Sequence, residues 1–307
     1  MDTARRTVKT AQEFDALMQE VDASLQDQGV PIHAREIHAM REVAIRLGVK
    51  IPLAPSRAPK PDVYEGEDLC CHISQWVQDR YGDRLKIPFV NGYSVLLLRG
   101  DAWLLKFPVI FGTMTIVCDR NLSREYPTFV ANRAGQPPKR AVLNILKCIQ
   151  NLPQGCANEL TDRELRETLN FFRFGHELLK TLNCQCRTDE LAMSALSDLN
   201  TSAKTATTTP SEYGASRWAS LQAAEKFLKY YIASKNAKFP FSHDLLALSA
   251  RSAKLGLPEI EGSILRAAQC NAQVRYSQQS HSLKDVVEAH KAAMRIGATV
   301  VHTLHAE

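Results

Sequence analysis

Four runs of apolar residues at helical spacing in the last third of this 307-residue chain constrain its fold more than anything upstream. Trp218, Leu221, Ala224, Leu228, Tyr231 and Ile232 recur every three or four positions, so a helix reaching about Ser234 can bury one broad face. Thr209-Pro-Ser-Glu212 supplies its start: a capping hydroxyl, a proline whose missing N–H is harmless in the first turn, and a glutamate that reaches back. Ser242 is expected to cap a second helix, with Asp244 in its first turn, where free amides favour negative charge, and Leu245, Leu248 and Ala253 facing inward. Pro258 can open a third, which Ile260, Ile264, Leu265 and Ala268 carry to Cys270. Ser282-Leu-Lys-Asp285 can open a fourth, through Val286, Ala289, Ala293, Ile296 and Val300. Short connections between them predict a four-helix bundle over 211–307, with Trp218, Leu245, Ile264 and Val286 sharing one interior.

Upstream the pattern is mixed. Thr10-Ala-Gln-Glu13 reads as a capping box before Phe14, Leu17, Met18, Val21 and Leu25. A second segment, His33 to Leu47, places Ile37, Met40, Val43, Ala44 and Leu47 on one face and stops at Gly48. These two helices and the proline-rich arm Pro52–Pro61, which can join neither helix nor central strand, are expected to form a first region, 1–60. The second region, 61–193, is expected to be an α+β module. It opens with a helix carrying Leu69, Ile73, Trp76 and Val77. Two apolar runs around Arg99-Gly-Asp101 then predict a hairpin, with 112–118 as a third meander strand, helix again near 141–150, and a capping box at Thr161-Asp-Arg-Glu164. The segment 194–210, rich in Thr, Ser and Ala, reads as a flexible linker. The expected fold class is therefore α+β and mostly helical, with a small antiparallel sheet before the bundle.

Composition narrows the function classes. The hydrophobic share of 45% is that of a folded chain, and no apolar run approaches the roughly 18 residues of a membrane helix, so the expectation is a cytoplasmic protein without a membrane partner. Eight irregularly spaced cysteines suit reduced, mostly buried thiols better than a disulfide framework. Cys184-Gln-Cys186 is one residue short of the usual metal spacing, and His33, His38 and His72 also lack it, so neither a metal site nor a cofactor is expected. Phosphate loops, dinucleotide fingerprints and nucleophile elbows are absent from the sequence. Before Ser211 there are 26 Lys and Arg against 25 Asp and Glu, and from there on 12 against 8, so the modest basic excess sits with the predicted bundle. Such an excess is compatible with a nucleotide or nucleic-acid partner and far weaker than a dedicated binder's basic stripe.

Ala224-Glu225-Lys226, Lys229-Tyr230, Phe239-Pro240, Ser242-His243-Asp244-Leu245 and Val274-Arg275-Tyr276, in that order, resemble the HEPN domain, the higher eukaryotes and prokaryotes nucleotide-binding domain, in its His-Asp-Leu branch. The similarity covers about 213–304. It implies a four-helix bundle that commonly forms a homodimer, with RNA or nucleotide ligands and nucleotidyltransferase partners in toxin–antitoxin or defence systems. Cleaving members carry an Arg separated from a His by four to six intervening residues and need no metal: the His serves as general acid or base and the Arg stabilises charge on phosphorus.

Two pairs here have that spacing, Arg275 with His281 and Arg295 with His302. With 22 Arg and nine His in the chain, about two such pairs arise by chance, so position decides. Arg295 and His302 fall on one face of a helix, where a partly buried structural pair is expected. Arg275 and His281 flank the loop before the last helix, nearer the catalytic place, although Arg275-Tyr276 is also what branch members carry without a matched His. The candidate catalytic residues are therefore Arg275 and His281, and the candidate ligand-binding residues His243, Asp244, Lys226 and Tyr276. The leading expectation is a binding and dimerising module; the alternatives are a metal-independent endoribonuclease and a purely structural bundle with function upstream.

Overall fold

The computed structural model describes residues 7–52, 58–85, 89–110, 112–127, 140–208, 212–275 and 281–305, with Ala272 and Arg275 as backbone only. The chain divides into two compact units, Met1–Pro88 and Phe89–Glu307, so the boundaries expected at 60 and 193 give way to one after Pro88.

The first unit holds three helices, α1 (Ala11–Asp27), α2 (Arg35–Leu47) and α3 (Gly66–Tyr81). The expected capping box is formed, with Thr10 Oγ1 accepting from the Glu13 amide at 3.2 Å and Glu13 accepting from the Thr10 amide. Gly48, at φ 63°, ends α2 in the left-handed conformation that a side chain would strain. Phe14, Leu17, Met18 and Val21 meet Met40, Val43, Leu69 and Ile73 in one core. Ile37 departs from expectation: it lies 64% exposed, because the buried stripe of α2 runs through Ala39, Met40, Val43 and Leu47 instead. Beside this core Asp22 is held by Arg35 at 3.2 Å, Arg80 at 3.0 Å and the Tyr81 hydroxyl at 2.7 Å.

The second unit opens with the predicted hairpin, β1 (Val90–Leu98) and β2 (Asp101–Pro108), antiparallel. Its two-residue turn places Arg99 and Gly100 at φ 52° and 92°, the doubly positive conformation that matches the strand twist. The meander does not form. β3 (Met114–Val117) pairs in parallel with β4 (Ala141–Asn144), where a helix was expected, and a 3-10 turn covers Ile145–Cys148. Ala141 to Leu146 is a short apolar run, which periodicity cannot assign to helix or strand. Asn144 decides its end, accepting from the amides of Leu146 and Asp119 at 3.2 and 3.1 Å.

Seven helices follow: α4 (Gln154–Glu159), α5 (Asp162–Gln185), α6 (Glu190–Ala206), α7 (Tyr213–Ser234), α8 (Leu245–Lys254), α9 (Gly262–Ala268) and α10 (Leu283–His305). The expected linker is corrected by α6. Asp189 caps it, accepting from the Ala192 amide at 2.9 Å, and Ala192, Ala195, Leu196, Leu199, Ser202, Ala203 and Ala206 are buried along one stripe. Composition misled because these apolar residues are small, and their spacing rather than their size marks the helix. The threonines bond within it, Thr201 to the Ser197 carbonyl at 2.9 Å and Thr205 to that of Thr201 at 2.8 Å.

All four helices predicted for the bundle are present, and α6 joins them by packing along α7. Leu245 is buried in the main core with Trp218 and Ile264 against it, whereas Val286 sits in a small separate cluster with Val95, Ala206 and Val287. The sheet is not a separate module, since β1 packs on α5, α6 and α10 within the same unit. Asn200 of α6 accepts the Tyr93 amide of β1 at 2.8 Å. His290 of α10, fully buried, bonds Ser94 of β1 at 2.8 Å through Nε2 and Ser202 of α6 at 3.1 Å through Nδ1. The architecture is a mostly helical α+β fold whose small antiparallel sheet lies against α5, α6 and α10.

Candidate functional site

Gln222, Glu225, Lys226 and Lys229 lie three and four residues apart, so they share one face of α7. Glu225 is buried there with 4% of its surface exposed, which a carboxylate tolerates only when its oxygens are bonded. They are: Lys229 Nζ is 2.6 Å from Oε1, His243 Nδ1 is 2.6 Å from Oε2, and Gln222 Nε2 donates at 3.3 Å. A carboxylate only accepts, so the His243 hydrogen sits on Nδ1 and Nε2 is the ring nitrogen left over. The His243 side chain is 62% exposed, and Nε2 has no partner among the described residues.

Backbone ties hold the imidazole in place. Gln269, just after α9, donates to the His243 carbonyl at 3.1 Å and accepts the Leu245 amide at 2.9 Å. Asp244, and not Ser242, is the N-cap of α8: its side chain accepts from Leu246 and Ala247, while the Ser242 hydroxyl accepts from the Asp244 amide at 3.1 Å. Arg217 anchors the same corner, donating to the carbonyls of Ala267, Gln269 and Asp285 at 2.7, 2.9 and 3.2 Å. Trp218 stands beside the imidazole, at 5.8 Å between ring centroids, and the Phe239 ring lies under Lys229 Nζ at 5.5 Å. Phe241 is fully exposed.

The candidate ligand residues therefore differ in availability. Lys226 is committed to Asp198 of α6 at 2.5 Å. Burial pushes the Asp198 carboxyl up, the Lys226 bond and charge oppose that, and nearby Glu225 adds to it. Asp244 is occupied as a cap. His243 alone combines a fixed orientation with an open nitrogen. Lys229, Glu225, Gln269 and Arg217 complete the arrangement; Glu225 and Lys229 stand in the motif pieces quoted above, whereas nothing in local sequence marks Gln269 or Arg217.

Arg275 ends the 3-10 turn Ala272–Arg275, and its side chain, with all of Tyr276, lies outside the described residues. His281 precedes α10, where Ser282 and Asp285 cap the helix at 3.1 and 2.6 Å as the sequence predicts. Its Nε2 is buried without a hydrogen-bond partner among the described residues. The partly buried pair expected of Arg295 and His302 is corrected: both are exposed on α10, with His302 3.8 Å from Glu177. Cys184 is exposed and Cys186 buried, its thiol pushed up by burial beside Tyr230 and His305. Among the described residues no group of three or more His, Cys, Asp or Glu side chains is placed to hold a metal, and no helix is long and apolar enough to cross a membrane.

A helical bundle with an exposed imidazole oriented by a buried carboxylate is the class of structure these elements define. Residues 188–302 match the family model of the HEPN domain, a span that begins just before α6, whereas the region before it has no family match. No curated protein and no solved structure matches the chain.

Proposed function

We propose that this HEPN-domain protein is a non-catalytic or weakly catalytic module that self-associates through its bundle and binds a nucleotide or RNA at the cluster of Glu225, Lys229 and His243. The observation that carries the reading is the His243 ring, held at Nδ1 by a buried carboxylate and open at Nε2. So oriented, a protonated imidazole donates to a phosphate oxygen from a fixed direction, and Trp218 and Phe241 supply ring faces for a base. Asp244 and Lys226 serve this site through the cap and the Asp198 pair rather than by direct contact. Tyr276 enters by resemblance alone. So do a nucleotidyltransferase partner and a toxin–antitoxin or defence setting, while a cytoplasmic location accords with eight free thiols.

Fluorescence anisotropy with a labelled single-stranded RNA tests the binding. His243→Ala is expected to weaken it about tenfold, the loss of one charge-assisted contact, and equal affinity in the two proteins removes the cluster from recognition. In EDTA the wild-type protein is expected to leave the RNA essentially intact. Robust cleavage, lost in both Arg275→Ala and His281→Ala, replaces this reading with a metal-independent endoribonuclease. Sedimentation of the full chain is expected to show a dimer, and a persistent monomer removes self-association.

A further inference from the structure

A hollow of about 460 Å³ opens between α5 and α10, apart from the His243 cluster. Glu167, Asn170, Phe171 and Phe174 line it from α5, where their spacing puts them on one face, and Lys291 and Arg295 line it from the facing side of α10. Phe171 and Phe174 are half-buried, with centroids 6.4 Å apart and planes at 39°, and form a tilted aromatic floor.

Charge compensation around the floor is uneven. Glu167 accepts from Arg163 at 2.8 Å, and Lys291 stands 3.7 Å from Glu288 with its ammonium over the Phe171 ring at 6.0 Å. Arg295 is exposed, and its guanidinium has neither ion pair nor hydrogen bond among the described residues. One uncompensated guanidinium thus overlooks two aromatic faces, and the exposed Asn170 amide offers a donor and an acceptor beside them. The volume falls in the usual range of small-molecule sites, about 300–1,000 Å³.

We propose that this groove binds a small organic anion built on a flat ring, with the ring against Phe171 and Phe174 and the acid group on Arg295. The guanidinium fork suits a carboxylate or a phosphate equally, so an aromatic carboxylate and a nucleoside monophosphate share the chemistry the site selects. Asn170 reads a polar ring edge. The site is independent of the RNA reading above, because no residue is common to both.

Calorimetric titration of the full-length protein at low ionic strength tests the assignment with indole-3-acetate and AMP as ring acids, and indole, adenosine and inorganic phosphate as partial ligands. At least one ring acid is expected to bind one to one, with its ring alone and phosphate alone each about tenfold weaker or worse. Arg295→Gln, at an exposed position that leaves the fold intact, is expected to lower that affinity about tenfold. Phe174→Leu keeps an apolar side chain and is expected to weaken ring binding several-fold, whereas His243→Ala leaves the affinity for indole-3-acetate, which is not a nucleotide, unchanged. A preference for AMP or for indole-3-acetate identifies which acid the site takes. Failure of both to bind at millimolar concentration overturns the proposal, as does equal binding by the wild-type and Arg295→Gln proteins.

Discussion

Glu225 governs the candidate site because it is the one carboxylate that both Lys229 and His243 lean on. Replacing it with Gln removes the charge but keeps the shape, leaving Lys229, only 12% exposed at its side chain, without a counterion. Breaking a pair this buried costs about 3 kcal/mol, so Glu225→Gln is expected to lower the free energy of unfolding by about that amount in a urea titration. A change below about 0.5 kcal/mol, the usual surface value, would show that solvent compensates the lysine. His243 and Lys226 were legible in the sequence as motif members, but their unequal availability was not, since Asp198 and Glu225 are remote partners that no local spacing announces. His290 shows the same limit. It bonds Ser94, 196 residues away, and burial lowers its pKa to about 3 from an ordinary 6.5. The unfolded chain therefore binds this proton first: stability is fully present above about pH 6.5 and is lost as pH falls toward 3, by about 1.4 kcal/mol per unit. Urea titrations at pH 7 and 5 should show His290→Gln losing less stability between the two than the wild type does. Parallel losses would mean that the imidazole is protonated in both states or in neither.

Elements were legible where caps and apolar stripes agreed, as in α1, α5 and α10, and illegible where one signal spoke alone. In α6 a composition of Ala, Ser and Thr outweighed a buried stripe that was present in the sequence all along. Leu199 separates the two readings: in a linker Leu199→Ala would be neutral, but at 1% exposure in the core it should cost about 2–5 kcal/mol, measurable by chemical unfolding. The sheet failed for a different reason. β3 and β4 are four residues each and pair in parallel across a long connection, so neither a tight turn nor a long alternation was there to read. Close helix contacts are equally silent in one sequence. A methyl group added at Gly297 of α10 would stand 2.6 Å from the Phe227 ring of α7, and at Gly175 of α5 it would stand 2.5 Å from Phe107 of β2. Gly297→Ala should gain up to about 1 kcal/mol of helix propensity and lose more, about 1–3 kcal/mol, to overpacking. A lowered midpoint of thermal unfolding is expected, and a raised one would mean that Phe227 has room to turn.

At the scale of the whole molecule, the span that folds is longer than the span that resembles a family. Residues 188–302 match the HEPN model, yet the unit that contains them begins at Phe89, and its interior is built jointly by β1, β2, α5, α6, α7 and α10. Three contacts make that dependence specific. His290 is satisfied only through Ser94 and Ser202, Phe107 fills the space beside Gly175, and Val286 of α10 packs with Val95 rather than with the main core. A fragment starting at 205, inside the segment whose Thr-rich composition reads as a linker, would cut α6 near its end, expose the face of α7 that α6 covers, and orphan a buried imidazole. An unsatisfied buried group costs about 1–3 kcal/mol, and the uncovered apolar face adds a loss on the order of 25 cal/mol per Å², together comparable to the whole stability of a small domain. Residues 89–307 are therefore expected to unfold in one cooperative transition followed by circular dichroism, whereas 205–307 should show none. A sharp transition in the shorter fragment would establish that the C-terminal helices hold together without α6 and the sheet, and the extended unit would then be a packing arrangement rather than a folding requirement.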